Sequence, residues 1–100
     1  MLYAIIGRDV PGTLAQRLAI RSVHLERLNT LSNEGRLILA GPLPAIDSPD
    51  PGPAGFVGSL LVAEFATLED ARTWAETDPY VAAGVWGAVE VHPFRKVLPV

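Results

Sequence analysis

The chain has 100 residues, 49% of them hydrophobic, with a formal net charge of −3 and no cysteine. That is one domain's worth of chain with material for a real core, and it excludes disulfides, thiolate metal sites and a cysteine nucleophile. The acidic balance and the scatter of basic residues argue against nucleic acid or an anionic membrane surface as partner.

The N-terminal stretch Leu2–Gly7 is short, continuously apolar and rich in isoleucine, which suits a buried strand. Arg8 and Asp9 close it, so it lacks the basic start and longer apolar centre of a signal peptide. No apolar run approaches a membrane span, and the expectation is a soluble, cytoplasmic protein. Asp9-Val10-Pro11-Gly12 is a turn, and Thr13 with Gln16 fits a capping box. The spacing then predicts a helix from Leu14 to about Asn33, with Gly35 as a left-handed C-cap. Leu14, Leu18, Leu25 and Leu28 form its apolar stripe. Arg21 falls near the middle of that stripe, Arg17 and His24 fall on one flank, and Glu26 and Arg27 point toward water.

Arg36–Ala40 reads as a second strand. Residues 41–58 read as a long loop holding five of the nine prolines, stiff because each proline fixes φ. Ser59–Phe65 is a third strand. Thr67 caps a second helix with Glu69 and Asp70 in its first turn, and Asp78-Pro79-Tyr80 breaks that helix. Val81–Val85 is a turn or short helix, and Ala88–Val97 is the last strand. The order β-α-β-β-α-β is that of a ferredoxin-like α+β domain, one antiparallel sheet with both helices on one face. The whole chain forms a single domain, and pairing two open sheet faces in a homodimer would cover the remaining apolar surface.

Burying an arginine pair and a histidine along a packing stripe is costly unless something compensates. A site that binds an anion and moves a proton would use such a cluster. His24 is the natural proton shuttle, with an unperturbed pKa of about 6.5; the plainer alternative is a histidine that only packs. A histidine base works best with an acid that fixes its tautomer. Asp47 and Asp50 in the proline-rich loop are placed to reach over the helix, whereas Glu34 lies about 15 Å along the axis, so Asp47 is the expected partner. Arg17 and Arg21 fit a carboxylate clamp, or equally salt bridges across a dimer interface. Ser59 is a strand-start residue placed to line the site. His92 reads as structural. Two histidines with no cysteine and no close acid cluster predict no metal site, and no motif implies a cofactor. Trp74, Trp86, Tyr3 and Tyr80 read as core or interface residues.

Taken in order, Leu2-Tyr3-Ala4-Ile5-Ile6, Arg17–Leu25, Glu34-Gly35-Arg36-Leu37, Ala40–Asp47, Ala54–Ser59, Asp78–Val85 and Val91-His92-Pro93-Phe94 closely resemble the bacterial YciI-like proteins, the YCII-related domain. The resemblance covers essentially the whole length. It implies a ferredoxin-like fold that dimerises into an α+β barrel, and an active site centred on a histidine, matched by His24, and an aspartate, matched here by Asp47. Asn33 stands where some relatives carry an aspartate. A relative in chloroaromatic degradation points by analogy to elimination or isomerisation on small ring-derived acids. The expectation is a cofactor-independent acid–base enzyme acting on a small anionic organic molecule. The alternative is a non-catalytic small-molecule binding protein on the same scaffold. A carboxylate within hydrogen-bond reach of His24 would favour the enzyme.

Overall fold

The computed structural model describes residues 1–100. Its elements run β1 (Leu2–Asp9), α1 (Leu14–Asn33), β2 (Leu37–Pro44), a short 3-10 turn (Gly52–Ala54), β3 (Phe56–Glu64), α2 (Leu68–Glu76), α3 (Pro79–Ala82) and β4 (Trp86–Phe94). The strands form one antiparallel sheet in the order β2-β3-β1-β4, the arrangement that the ferredoxin-like connectivity requires.

Period-2 alternation decides which side of the sheet is covered. Tyr3 and Ile5 of β1 and Leu61 and Ala63 of β3 turn toward the helices. There they pack against Leu28 and Leu31 of α1 and Ala71 and Ala75 of α2. Ile5 and Ala63 are fully buried, and cutting Ile5 back to alanine is worth about 2–5 kcal/mol at such a site. Ala4, Ile6, Leu60 and Val62 point to the opposite face, where Ala4 pairs with Val62 and Ile6 with Leu60. Leu39 joins them across from Val62. No helix crosses that face. Arg8, Glu90 and His92 also stand there, with Arg8 Nε 2.7 Å from Glu90 and His92 Nε2 3.6 Å from it. The hydrogen bond from Arg8 holds the Glu90 carboxyl below its ordinary range.

Both strands flanking the proline-rich segment are longer than the sequence indicates. Gly41–Pro44 continues β2 and Phe56–Gly58 opens β3, which reduces the expected loop to residues 45–55. Prolines lower strand propensity, but β2 is an edge strand, where a missing N–H is tolerated. Gly58 sits against the backbone of Gly7 with no room for a side chain, and Gly7 in turn makes room for the Trp86 indole. The two glycines therefore seat an aromatic ring under the centre of α1.

Three details of α1 differ from expectation. Leu18 is 59% exposed, and the buried positions are Arg17, His24, Leu28 and Leu31. The helix is rolled so that polar side chains occupy the sheet-facing band in its first half and leucines in its second. Thr13 does not cap the helix; its hydroxyl donates to the Val10 carbonyl at 2.7 Å. Arg27 does not point to water but turns in toward α2 and α3. The C-terminus is as expected. Gly35 has φ +73°, and Gly35 N–H to Ser32 with Arg36 N–H to Leu31 completes a Schellman motif. Thr67 caps α2 through the Asp70 N–H at 3.0 Å.

Candidate active site

Arg17 and His24 are two helical turns apart on α1, so they share a face, and Arg21 lies between them. Opposite them, β3 contributes Ser59, β2 contributes Pro42 and α3 contributes Tyr80. Together these line a cavity of about 150 Å³, whose remaining walls are mostly apolar. A space this small leaves room only for a small molecule.

His24 is buried, 5% exposed. Its Nδ1–H donates to the Asp78 carboxylate, with the two oxygens at 2.9 and 2.8 Å. Its ring stacks on Tyr80 with centroids 4.1 Å apart and meets the edge of Trp86 at 5.5 Å. Asp78 is fully buried, and its charge is compensated. Arg27 donates to it at 3.0 Å, and the Tyr80 backbone N–H donates to it at 2.9 Å as the N-cap bond of α3. Arg27 is itself braced by the Trp74 carbonyl and lies over the Trp74 ring. With Nδ1–H directed at the Asp78 carboxylate, the other ring nitrogen, Nε2, has no protein partner. That is the tautomer and orientation of a general base.

Arg17 is also buried but wholly engaged. It grips Asp9 in a two-pronged pair at 2.7 and 2.9 Å, and donates to Ser59 Oγ at 2.7 Å and to the Gly58 carbonyl at 3.1 Å. Its guanidinium also sits over the Tyr80 ring at 4.7 Å. Arg17 therefore ties α1 to β1 and β3, and Asp9 compensates its charge. Arg21, one turn on, is exposed at the cavity and makes no ion pair. Of the two arginines, Arg21 is the cation with capacity for an anion. Burial pushes the Tyr80 phenol above its ordinary range, against the opposing pull of Arg17 and Arg21.

The structure brings four of the five expected residues together: Arg17, Arg21, His24 and Ser59. The fifth, Asp47, is exposed in the 45–55 loop and does not reach His24. That loop folds over the start of α1, where Pro49, Asp50 and Pro53 face Leu14 and Leu18, so neither Asp47 nor Asp50 approaches the histidine. Glu34 pairs with Arg36 at 2.8 Å. Asp78 takes the acid's place because the α2–α3 junction, unlike the loop, packs directly against the middle of α1. In the sequence, Asp78-Pro79-Tyr80 reads as a helix break, and the 54-residue separation of Asp78 from His24 hides the pairing. Tyr80, expected as a core or interface residue, is buried and also lines the cavity. His92 lies on the open sheet face, away from the cavity. A wider groove along α2, about 630 Å³, is open to solvent, and its arginines, Arg27 and Arg36, are spent on Asp78, Glu34 and backbone carbonyls.

The family model of the YCII-related domain matches residues 1–95. The chain belongs to the YCII-related domain family. It is 57% identical over 97 residues to the protein YciI of Escherichia coli O6:H1, covering 97% of this chain and 99% of that one. It is 53% identical over 97 residues, with the same coverage, to an uncharacterized protein of Haemophilus influenzae. Among solved structures, 5-chloro-2-hydroxyhydroquinone dehydrochlorinase (TftG) from Burkholderia phenoliruptrix, in complex with 2,5-dihydroxybenzoquinone, superposes with a TM-score of 0.81 at 29% identity, covering 95% of this chain and 94% of that one. This YCII-related domain thus shares its fold with a dehydrochlorinase. No helix is long and apolar enough to cross a membrane.

Proposed function

We propose that this YCII-related domain is a cofactor-independent acid–base enzyme, a lyase or isomerase acting on a small anionic organic molecule. The observation that carries this reading is the poised histidine. His24 Nε2 is free at the cavity while Nδ1–H is locked by a fully buried carboxylate. His24 moves the proton, Asp78 orients the ring and stabilises the imidazolium that forms, and Arg21 holds the substrate's negative charge. Arg17 and Ser59 shape the floor, and Pro42 walls the cavity. The dehydrochlorinase likeness supports an elimination or isomerisation on a ring-derived acid and makes 2,5-dihydroxybenzoquinone a fitting first probe. We further propose that two copies associate through the open sheet face, burying Ala4, Ile6, Leu39, Leu60 and Val62.

The test is a screen of small unsaturated and ring acids for turnover by the native chain and by His24→Gln, with circular dichroism to check the fold. Glutamine keeps bulk beside Tyr80 and removes the base, so turnover should fall by about 10²–10⁴-fold while probe binding shows whether the cavity is intact. Turnover that survives in His24→Gln overturns the proposed mechanism. For the association, Leu39→Asp should shift the sedimentation coefficient of the native species toward that of a single chain; a native chain that already sediments as a monomer at high concentration overturns it.

A further inference from the structure

The Tyr80 ring is buried, and its hydroxyl makes no hydrogen bond within the protein. The one side-chain polar atom sealed away without a partner is the Trp86 Nε1; the Tyr80 hydroxyl, on a residue that lines the cavity, is instead accessible and free to donate to a molecule that enters it. The rest of the lining has the same bias. Ser59 Oγ accepts from Arg17, and its own hydrogen has no protein acceptor. Arg21 adds a cation. Against these donors stands one acceptor, His24 Nε2. A ligand held only by ground-state charge would need the arginine alone. Neutral donors set beside a base fit a reaction in which negative charge appears on an oxygen as a proton leaves.

The position of Tyr80 is fixed by the dyad itself. Its backbone N–H holds Asp78, its ring lies on His24 within 20° of parallel (interplanar angle 19°), and Asp78 holds His24. Base, orienting acid and phenol are thus braced as one unit. We propose, building on the acid–base reading above, that Tyr80 is a catalytic residue whose hydroxyl donates to the substrate oxygen on which charge develops, and that the substrates are small carbonyl compounds that enolise. His24 Nε2 takes a proton from the carbon beside the carbonyl. The C–H electron pair moves into the carbon–carbon bond, and the carbonyl pair moves onto oxygen, where Tyr80 hydrogen-bonds it without giving up its own proton. His24 then returns the proton to a different carbon, or a leaving group departs with its electron pair as the enolate collapses. The proximity of two guanidinium groups favours the oxyanion, and burial keeps the phenol in its donating form.

The experiment uses para-nitrophenol, whose absorption distinguishes phenol from phenolate, as a stand-in for the oxyanion, and para-nitroanisole as its non-ionising control. Both are titrated into the native chain and Tyr80→Phe. The phenolate should bind the native chain, and Tyr80→Phe should weaken it about tenfold or more, as expected for a hydrogen bond to a charged oxygen, with para-nitroanisole unaffected. The thermal midpoint of Tyr80→Phe should be unchanged or higher, because the lost hydroxyl has no protein partner. Equal phenolate affinity in Tyr80→Phe overturns the role of Tyr80 and leaves the acid–base reading standing. Equal weakening of both ligands, or unfolding of Tyr80→Phe, also overturns it, by making the hydroxyl structural. Failure of the native chain to bind the phenolate overturns the oxyanion proposal outright. The acid–base reading falls separately, on persistence of turnover in His24→Gln.

Discussion

The two ends of the cavity use the same device for opposite purposes. At one end a buried carboxylate, Asp9, meets Arg17; at the other a buried carboxylate, Asp78, meets Arg27 and His24. Asp9 and Arg17 consume each other. The fork satisfies both charges, and the remaining bonds of Arg17 go to Ser59 and Gly58, so this end is a brace. Asp78 is over-supplied with donors, an arginine, a backbone amide and an imidazole, and the surplus leaves the imidazole with one nitrogen free. Buried charge serves packing where acid and base are matched one to one. On the acid–base reading proposed above, it serves proton transfer where one carboxylate organises an imidazole between permanent donors.

The sharpest way to break this comparison is to neutralise each carboxylate in turn. Asp78→Asn should lower turnover by about 10²–10⁴-fold, because an amide offers His24 the wrong hydrogen-bonding partner and lets the ring take the other tautomer. Asp78→Ala goes further and leaves Arg27 half-buried without its partner, at a cost of about 3–5 kcal/mol in urea or thermal unfolding. Asp9→Asn should cost about 1–3 kcal/mol of stability and change turnover little. If Asp9→Asn abolished turnover as completely as Asp78→Asn, the division between brace and dyad would fail.

Smaller effects sharpen the contrast between the two arginines. Arg21→Ala should weaken binding of an anionic ligand by about tenfold at low salt, less at high salt, and leave stability within about 0.5 kcal/mol. Arg17→Ala should instead lower the unfolding midpoint. The smallest effect concerns alkaline pH. Burial raises the Tyr80 pKa from the ordinary 10.0, so above that value the unfolded chain releases its tyrosine proton before the folded one does. The contribution of Tyr80 to stability is therefore intact below pH 10 and is lost as pH rises through the folded-state value. A stability–pH profile in which Tyr80→Phe declines as steeply as the native chain above that point would contradict the assignment.

Much of this was legible in the sequence. The element order, the Gly35 cap, the Thr67 cap and the placement of Arg17, Arg21 and His24 on one helix face follow from periodicity and local turn chemistry, which are short-range. The partner of His24 was not, for a physical reason. In a linear reading Asp78 is fully accounted for as part of the Asp78-Pro79-Tyr80 helix break, and in the structure it caps a four-residue helix. Its second role exists only because α2 delivers it to α1 across the sheet. The proline content of residues 41–58 misled in the opposite direction. Local propensity argued for a loop, while position at the sheet's edge removed the penalty that propensity measures. The leucines of α1 misled in a third way. Four of them spaced along a helix outline a stripe, but the rotation of α1 is set by the Asp9–Arg17 fork and the His24–Asp78 bond as much as by Leu28 and Leu31.

The edge strand has a consequence for how copies of the chain can meet. Pro42 and Pro44 remove two donors from the outer strand, so a strand arriving there finds a ladder with missing rungs. Sheet-to-sheet growth along that edge is discouraged without any charged guard residue. The apolar side of the sheet, proposed above as the contact between two copies, carries no such break.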